Sequence, residues 1–217
     1  MNVRLNWSIA TSMGLVIAAL ATIGLAQSQT PQSQTPQTQI AQLRSPSDFA
    51  QIADRNDRSA AIFVEMGKVI QHPRCLNCHP RGDRPTQQNG RPHIPPVQRG
   101  PASFGVTGME CAVCHGPTNV PFVNGQDGIP GHPAWHLAPR EMAWQGLSLR
   151  AICQQLKDRR RNGGKSLAEL QHHNAHDSLV GWGWNPGAGR APAPGTQQQF
   201  GELTQAWIDA GASCPKR

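Results

Sequence analysis

The chain has 217 residues, a formal net charge of +7 and only 37% hydrophobic residues, with six Trp, five Phe and no Tyr. Its 22 Gly and 19 Pro make up about a fifth of the chain, below the roughly 25–30% of low-complexity sequences. This composition excludes a collagen, a coiled coil and a protein with several membrane spans. It predicts one domain, or two small ones, with a thin hydrophobic core. The excess of basic residues favours acidic partners, but nothing in the sequence resembles a nucleic-acid-binding module.

Residues 1–26 are typical of a signal peptide for export. Arg4 supplies a positive charge near the N terminus, residues 9–25 are mostly apolar, and Ala26 completes a small-x-small pattern. The apolar stretch is close in length to a membrane span. The alternative is therefore an uncleaved anchor, which would be the membrane-bound part of the protein. In both cases we expect the rest of the chain in the periplasm or another exported, oxidising location. If the signal peptide is cleaved, we expect the protein to be soluble there.

Residues 27–44 predict a flexible linker of Gln, Ser, Thr and Pro, because so few apolar side chains cannot offset the entropy cost of ordering. The predicted domain covers residues 45–217. It begins with Ser45 and Pro46, a capping residue followed by a proline at the first helical position. Helical character then continues until Pro73 stops it.

The middle of the chain, residues 80–144, shows neither the helical nor the strand period, and Gly and Pro recur throughout it. A stretch of this length inside a compact domain needs something other than its own side chains to organise it. Beyond it, capping residues predict three helices that begin after Ser148, Ser166 and Thr196. We expect the first of these to end at the Gly pair at 163–164. No strand pattern appears, so the predicted fold class is mainly α.

Two segments, residues 75–79 and 111–115, carry the same C-x-x-C-H motif. With this composition, roughly 0.007 such motifs are expected by chance. Two cysteines three positions apart reach the two vinyl groups of one haem and form thioethers, and the adjacent His becomes the proximal ligand of the iron. We therefore predict two covalently attached c-type haems, which would also fill the thin core and organise the irregular middle. The predicted attachment residues are Cys75, Cys78, Cys111 and Cys114, and the predicted proximal iron ligands are His79 and His115.

Three simpler interpretations compete with haem attachment. Zinc could be bound by the four cysteines, but 32 residues separate Cys78 from Cys111, more than the usual spacing of about 15–20. Zinc also leaves the His after each second Cys unexplained. A thioredoxin-like site would need a strand–helix context that the sequence lacks. Plain disulfides would make the repeated His a coincidence.

A pure electron carrier needs a sixth ligand for each iron, and the motifs do not supply it. His136 lies in an apolar setting after the second motif, and His93 lies between the two motifs. His176 precedes Asp177, which could orient one of its ring nitrogens. Met142 is the best-placed thioether. For each candidate, a surface, hydrogen-bonded or core-filling role is the alternative.

Cys153 and Cys214 remain after the motifs are assigned. In an oxidising compartment two spare cysteines usually pair, so we predict a disulfide between them. On the chain-entropy model such a bridge contributes roughly 4 kcal/mol. The alternative is that Cys153 is a buried free thiol, since it lies on the apolar face of its predicted helix.

The double motif, the helix that runs into it and a terminal helix with Phe200 and Trp207 together resemble c-type dihaem cytochromes. Five further segments are similar to small exported proteins labelled isoquinoline 1-oxidoreductase subunit. This resemblance implies a redox partner of a molybdenum hydroxylase, namely the cytochrome that accepts its electrons. The chain departs from the hydroxylase itself, since it lacks the C-x4-C-x2-C run of a plant-type 2Fe–2S site and is too short for a molybdopterin domain. The five segments are residues 72–80, 135–139, 142–146, 162–164 and 182–184.

Taken together, these features predict cytochrome-c-like helices around two covalently bound haems, with a long Gly- and Pro-rich loop region. We expect the protein to carry single electrons between redox-protein partners. The resemblance implies a more specific role, as the electron-accepting subunit of a molybdenum-hydroxylase-type oxidoreductase. We do not expect it to be an enzyme by itself. The alternative is a dihaem peroxidase-like enzyme with one open haem iron, and a sensor or structural subunit has only the linker in its favour.

Overall fold

The computed structural model describes residues 42–125 and 128–216. The predicted signal peptide, residues 1–26, and most of the predicted linker, residues 27–44, lie outside the described residues. Within the described ranges, no helix is long and apolar enough to cross a membrane.

The last residues of the predicted linker pack against the domain. Leu43 is buried in the hydrophobic core, and the backbone N–H of Arg44 donates to Glu65 Oε1 at 3.0 Å. The helix start predicted at Ser45 is confirmed as a short 3-10 helix, Pro46–Phe49, with a capping box at its beginning. The chain therefore joins the core before the first long helix begins.

That long helix is α1 (Arg55–Ile70), which Asp54 caps through its side chain. It ends before Pro73, and the proline starts a second, one-turn helix, α2 (Pro73–Leu76), with His72 as its cap. A proline suits the first helical position because its fixed φ is already helical and its missing N–H would have no partner there. The expectation that Pro73 only ends helical structure is corrected accordingly.

The described part of the irregular middle contains three antiparallel hairpins and one turn of helix, α3 (Cys111–Cys114). The sequence analysis expected no strands, and this expectation is wrong, because strands of two residues are too short to show an alternating pattern. One turn depends on a close approach, since a Cβ on Gly100 would lie 1.9 Å from the carbonyl oxygen of Gly105. The strands pair as β1 (Thr86–Gln87) with β2 (Arg91–Pro92), β3 (Gly105–Val106) with β4 (Met109–Glu110), and β5 (Val120–Pro121) with β6 (Gly128–Ile129).

The C-terminal third is helical, and the three predicted helix starts are confirmed. The side-chain oxygens of Ser148, Ser166 and Thr196 each accept a hydrogen bond from the backbone N–H three residues further on, at 3.1 to 3.2 Å. These bonds satisfy donors that have no partner inside the helix. The helices are α4 (Leu149–Lys157), α5 (Leu167–His176), α6 (Ser178–Gly181) and α7 (Gln197–Asp209), with 3-10 turns at Arg140–Met142 and Trp182–Trp184.

Helix α4 ends earlier than the sequence predicts, at Lys157 and not at the Gly pair at 163–164. Asp158 leaves the helix with an extended backbone. Its carboxylate accepts hydrogen bonds from the backbone N–H of Arg160 at 3.0 Å and from Nε of Arg161 at 2.9 Å. An Asp side chain that bonds to the backbone just after it offers the chain a turn in place of another helical turn.

The core forms where α1 and α5 pack against α7 and α4 packs against α1. Ser59 Oγ on α1 donates to the carbonyl of Trp207 and accepts from the backbone N–H of Ser213, both at 2.9 Å. The predicted disulfide joins Cys153 to Cys214, with a Cα–Cα distance of 5.6 Å. The mainly α fold class is thus confirmed for the described residues, while the arrangement around two haems stays a prediction. Fully buried apolar side chains include Phe63, Met66, Val69, Ile152, Leu203 and Trp207.

Candidate functional site

The first motif is built on α2 and the turn that follows it. The backbone N–H groups of Cys78 and His79 both donate to the carbonyl of Cys75, at 3.1 Å. This helical turn places the two cysteines on one side, because positions i and i+3 are neighbours on a helix. Both are free thiols. Burial raises the pKa of Cys75 to about 12 and that of Cys78 to about 11, so both are protonated at neutral pH.

The imidazole of His79 is held from two sides. Its Nδ1 lies 2.7 Å from the carbonyl oxygen of Met142, and its ring stacks on Trp144 with centroids 3.5 Å apart and planes 3° from parallel. Because a carbonyl only accepts, Nδ1 must carry the proton and Nε2 keeps its lone pair. Burial lowers the pKa of His79 to about 4, although the hydrogen bond to the Met142 carbonyl acts to raise it. A neutral imidazole with its Nδ1–H fixed in this way is the usual form of a metal-binding histidine.

The second motif repeats this arrangement on α3. The backbone N–H of His115 donates to the carbonyl of Cys111 at 2.9 Å, and both cysteines of the motif are free thiols. The Nδ1 of His115 lies 2.7 Å from the carbonyl oxygen of Pro130. Its ring stacks on Trp135 with centroids 4.7 Å apart and planes 16° from parallel. Burial lowers the pKa of His115 despite the hydrogen bond to Pro130.

One short segment links the two motifs. Trp135 stacks on His115, and three residues later the backbone N–H of Ala138 donates to the carbonyl of Cys78 at 3.0 Å. Three residues of chain span at most about 11 Å. The Cys111 thiol is also close enough to Cys78 to raise its pKa. The structure therefore brings together two motifs that are 36 residues apart in the sequence.

Two buried arginine side chains lie near the motifs, and neither was among the predicted site residues. Arg74 is buried, and its Nη2 donates to the carbonyl of Gln88 at 2.7 Å. Arg99 is buried and donates to the carbonyl of Ala138. Among the described residues, the buried Nε of Arg74 has no hydrogen-bond partner, whereas that of Arg99 lies 3.7 Å from Asp83 Oδ1 in an ion pair. A buried guanidinium group with an unused donor, as in Arg74, is costly for the chain alone and well suited to an added carboxylate.

A group of large apolar side chains lies exposed in the region of the second motif. Val113, inside the motif, is 71% exposed. These residues flank the second motif in the sequence, between positions 94 and 129, and large exposed apolar side chains are suited to being covered by another group. The group consists of Ile94, Phe104, Met109, Val113, Val120, Phe122, Val123 and Ile129.

For two of the predicted sixth ligands, the described side-chain contacts do not include a motif imidazole. His176 is exposed, and its described ring contact is with His172. Asp177, expected to orient His176, has its Oδ2 3.3 Å from Nδ1 of His173 instead. This pairing at i, i+4 is the missed signal, since side chains four apart on a helix face each other and those one apart do not. Met142 is buried in the core, and it contacts His79 through its backbone carbonyl.

The other two candidates lie close to the motifs. The ring of His93 lies 5.9 Å from that of His115. The Nδ1 of His136 lies 2.5 Å from the carbonyl oxygen of Ala134, and its ring stacks on Phe104. Both imidazoles thus have Nδ1 directed to a carbonyl and Nε2 with its lone pair.

In residues 42–125 and 128–216, no three His, Cys, Asp or Glu side chains converge to hold a bare metal ion. Comparisons of the chain with protein-family models, with curated proteins and with solved structures found no match. The chemistry of the two motifs is therefore the basis for a functional proposal.

Proposed function

We propose that this chain is an exported electron-transfer protein that attaches two c-type haems covalently, one at each C-x-x-C-H motif. The observation that carries the proposal is the repeated local arrangement. Each motif has two free thiols on one helical turn, followed by an imidazole whose Nδ1–H is fixed by a backbone carbonyl. Thiols three apart with an adjacent imidazole form the donor set of a covalently attached haem.

The surroundings of the motifs fit the same group. A haem carries two carboxylates, and the unpaired Nε of Arg74 is a donor that one of them would satisfy. It also has a large apolar face, which would cover exposed side chains such as Val113. The buried Nε1 of Trp144 has no partner among the described residues and lies against His79. These unused donors and exposed apolar side chains support the proposal of an added group at the motifs.

When bound, each haem supplies an iron that cycles between Fe(III) and Fe(II). The chain contributes the imidazoles of His79 and His115, and it fixes their orientation through the carbonyls of Met142 and Pro130. The segment from Trp135 to Ala138 keeps the two attachment sites close together, which favours electron exchange between the groups they hold. We propose redox proteins as partners. The resemblance adds a narrower proposal, in which the donor is a molybdenum-hydroxylase-type enzyme.

The basic charge of the chain supports an acidic partner surface. The whole sequence has a formal net charge of +7, and opposite charges on two redox proteins speed their encounter in a salt-dependent way. The disulfide between Cys153 and Cys214 is stable in an oxidising compartment. It supports the proposed export without identifying the compartment.

The test is a count of covalent haem on the full chain, produced in a host that also matures a second c-type cytochrome. We expect the intact mass under denaturing conditions to show two haems per chain. The double substitutions Cys75→Ser with Cys78→Ser, and Cys111→Ser with Cys114→Ser, should each remove one. The matched control replaces the other two cysteines, Cys153→Ser with Cys214→Ser, and should retain both haems. A chain without covalent haem, in cells where the second cytochrome is loaded, would refute the proposal.

The electron-carrier role is tested separately on the loaded protein. We expect rapid reduction by a small-molecule donor and rapid reoxidation by an oxidised cytochrome, both reversible over many cycles. Rapid turnover of hydrogen peroxide with an electron donor would instead favour the peroxidase-like alternative.

A further inference from the structure

We propose that His93 is the second axial ligand of the iron held by His115, so that this iron has no open coordination position. The assignment rests on the proposed function, since it presupposes a haem at the second motif. It depends on which ring nitrogen carries the proton, and which keeps a lone pair, in the histidines outside the motifs.

Two of these histidines use their ring nitrogens in a way that removes them as ligands. The Nδ1 of His72 accepts a hydrogen bond from the backbone N–H of Arg74 at 3.3 Å. The Nδ1 of His132 accepts from the backbone N–H of Ala134 at 3.1 Å, and its Nε2 lies 3.0 Å from Ser178 Oγ. An imidazole that accepts at Nδ1 is protonated at Nε2 and has no lone pair left for a metal.

His93 has the opposite arrangement. Its Nδ1 lies 2.9 Å from the carbonyl oxygen of Pro95, so Nδ1 carries the proton and Nε2 keeps a lone pair. This is the same state as that of His79 and His115, whose Nδ1 atoms are also held by carbonyls. A metal-binding imidazole typically has this hydrogen bond, which fixes both its tautomer and its orientation.

The distance between the rings favours a shared ion. The centroids of His93 and His115 are 5.9 Å apart, with the planes at 62°. An imidazole nitrogen lies about 2 Å from a bound metal ion, and the ring centroid lies about one C–N bond length, roughly 1.3 Å, behind that nitrogen. Two imidazoles on opposite sides of one ion therefore have centroids about 6–7 Å apart by these values. The observed separation is close to this range.

The backbone of His93 is firmly held. Its N–H donates to the carbonyl of Pro85 at 3.0 Å, and its carbonyl accepts from Nη2 of Arg84 at 2.6 Å and from Nε at 3.2 Å. The residue directly follows the hairpin of β1 and β2. A ligand on a fixed backbone loses little entropy when it binds.

The hairpin that precedes His93 is also attached to the first motif. Within that motif, the side chain of Asn77 accepts from Thr86 Oγ1 at 2.7 Å and donates to the carbonyl of Gln88 at 2.9 Å. Arg74 donates to the same Gln88 carbonyl. A bond from His93 to the second iron would therefore tie the second haem to the backbone of the first site.

The test uses carbon monoxide, which binds a reduced haem iron only where a coordination position is open or easily vacated. In the loaded wild-type chain we expect the second haem to show no carbon monoxide spectrum. In His93→Ala we expect two covalent haems and the binding of one carbon monoxide per chain, at the second haem. Adding imidazole to this variant should restore the wild-type spectrum of the oxidised protein. His93→Met should keep the iron six-coordinate with an altered spectrum, which separates ligand loss from a folding defect.

Two matched controls sharpen the assignment. His172→Ala removes an exposed imidazole and should leave the spectra unchanged. His136→Ala removes another imidazole whose Nδ1 is held by a backbone carbonyl, and it should leave the second haem closed. To identify the haem that binds carbon monoxide, the measurement is repeated with Cys75→Ser and Cys78→Ser, so that only the second haem remains.

The proposed function and the assignment of His93 would be overturned by different results. A wild-type chain without covalent haem would overturn the proposed function and this assignment with it. Two covalent haems whose spectra and carbon monoxide binding are unchanged by His93→Ala would overturn the assignment alone. Opening of the second haem by His136→Ala in place of His93→Ala would also overturn it.

Discussion

In the helical core the chain buries its own large side chains, whereas around the second motif it leaves them in contact with solvent. Phe63, Ile152 and Trp207 are fully buried between α1, α4 and α7. In contrast, Val120 and Phe122 are each more than half exposed. The two regions differ in what stabilises them. The core is held by side-chain packing and a disulfide, and the loop region is held by short hairpins, close glycine contacts and, on the proposal above, by the groups bound to it.

The strongest test of this difference is the truncation of a large side chain in the core. Phe63 packs on Trp207 with ring centroids 5.1 Å apart, so Phe63→Ala leaves a cavity and should lower the free energy of unfolding by about 3–5 kcal/mol. Val64→Ala, on the exposed side of the same helix, should change it by less than about 0.5 kcal/mol. Denaturant unfolding followed by helical circular dichroism measures both. A similar loss for the two variants would contradict the packing described for α1.

The next largest effect is expected from the disulfide. Replacing both Cys153 and Cys214 with Ser should reduce the free energy of unfolding by about 2–4 kcal/mol. Chemical reduction of the wild type should give a similar loss, measured by the same unfolding experiment. The haem count should not change, because the bridge joins α4 to the C-terminal segment and involves none of the four attachment cysteines. Loss of haem in this variant would show that the two regions are not separable.

A smaller effect is expected where the core helices begin. Thr196 caps α7 through its hydroxyl group, and Thr196→Ala should cost about 1 kcal/mol of unfolding free energy. Thr196→Ser keeps the hydroxyl group and serves as the control, with a change well below that of the Ala variant. Equal losses for the two variants would mean that the methyl group, and not the cap, stabilises this end of the helix.

An effect that depends on loading is expected in the loop region. In a chain without the second haem, made with Cys111→Ser and Cys114→Ser, the change Val113→Ser should alter the unfolding free energy by less than about 0.5 kcal/mol. In the loaded protein the same change should cost about 1–2 kcal/mol, because a bound haem buries this side chain. Thermal unfolding of both forms measures the difference. Equal effects in the two forms would show that the haem does not cover Val113.

The parts of the structure that the sequence predicts are those that depend on neighbouring residues. The caps at Ser148, Ser166 and Thr196 bond to backbone groups three residues away, so a short stretch of sequence contains the whole interaction. The two motifs are visible for the same reason. The disulfide followed from counting cysteines, without any knowledge of the fold.

The parts that could not be predicted depend on contacts between distant residues. His79 is fixed by a carbonyl 63 residues away, and His115 by one 15 residues away. Any residue offers a backbone carbonyl, so no sequence signal marks Met142 or Pro130 for this role. The pairing of Asp177 with His173 instead of His176 follows from helical spacing, because α5 extends to His176.

If the chain is exported as proposed, the position of α7 in the core would affect the order of events. α7 supplies the surface against which α1 and α5 pack, and the carbonyl of Trp207 receives the hydroxyl group of Ser59, 148 residues earlier in the chain. On a chain that crosses a membrane with its N terminus first, the core cannot close until this last helix has been delivered. The thiols at positions 75 to 114 emerge earlier and meet a chain that is still open. On the proposed function, covalent loading would therefore have an interval before folding is complete, and the arrival of α7 would set its length.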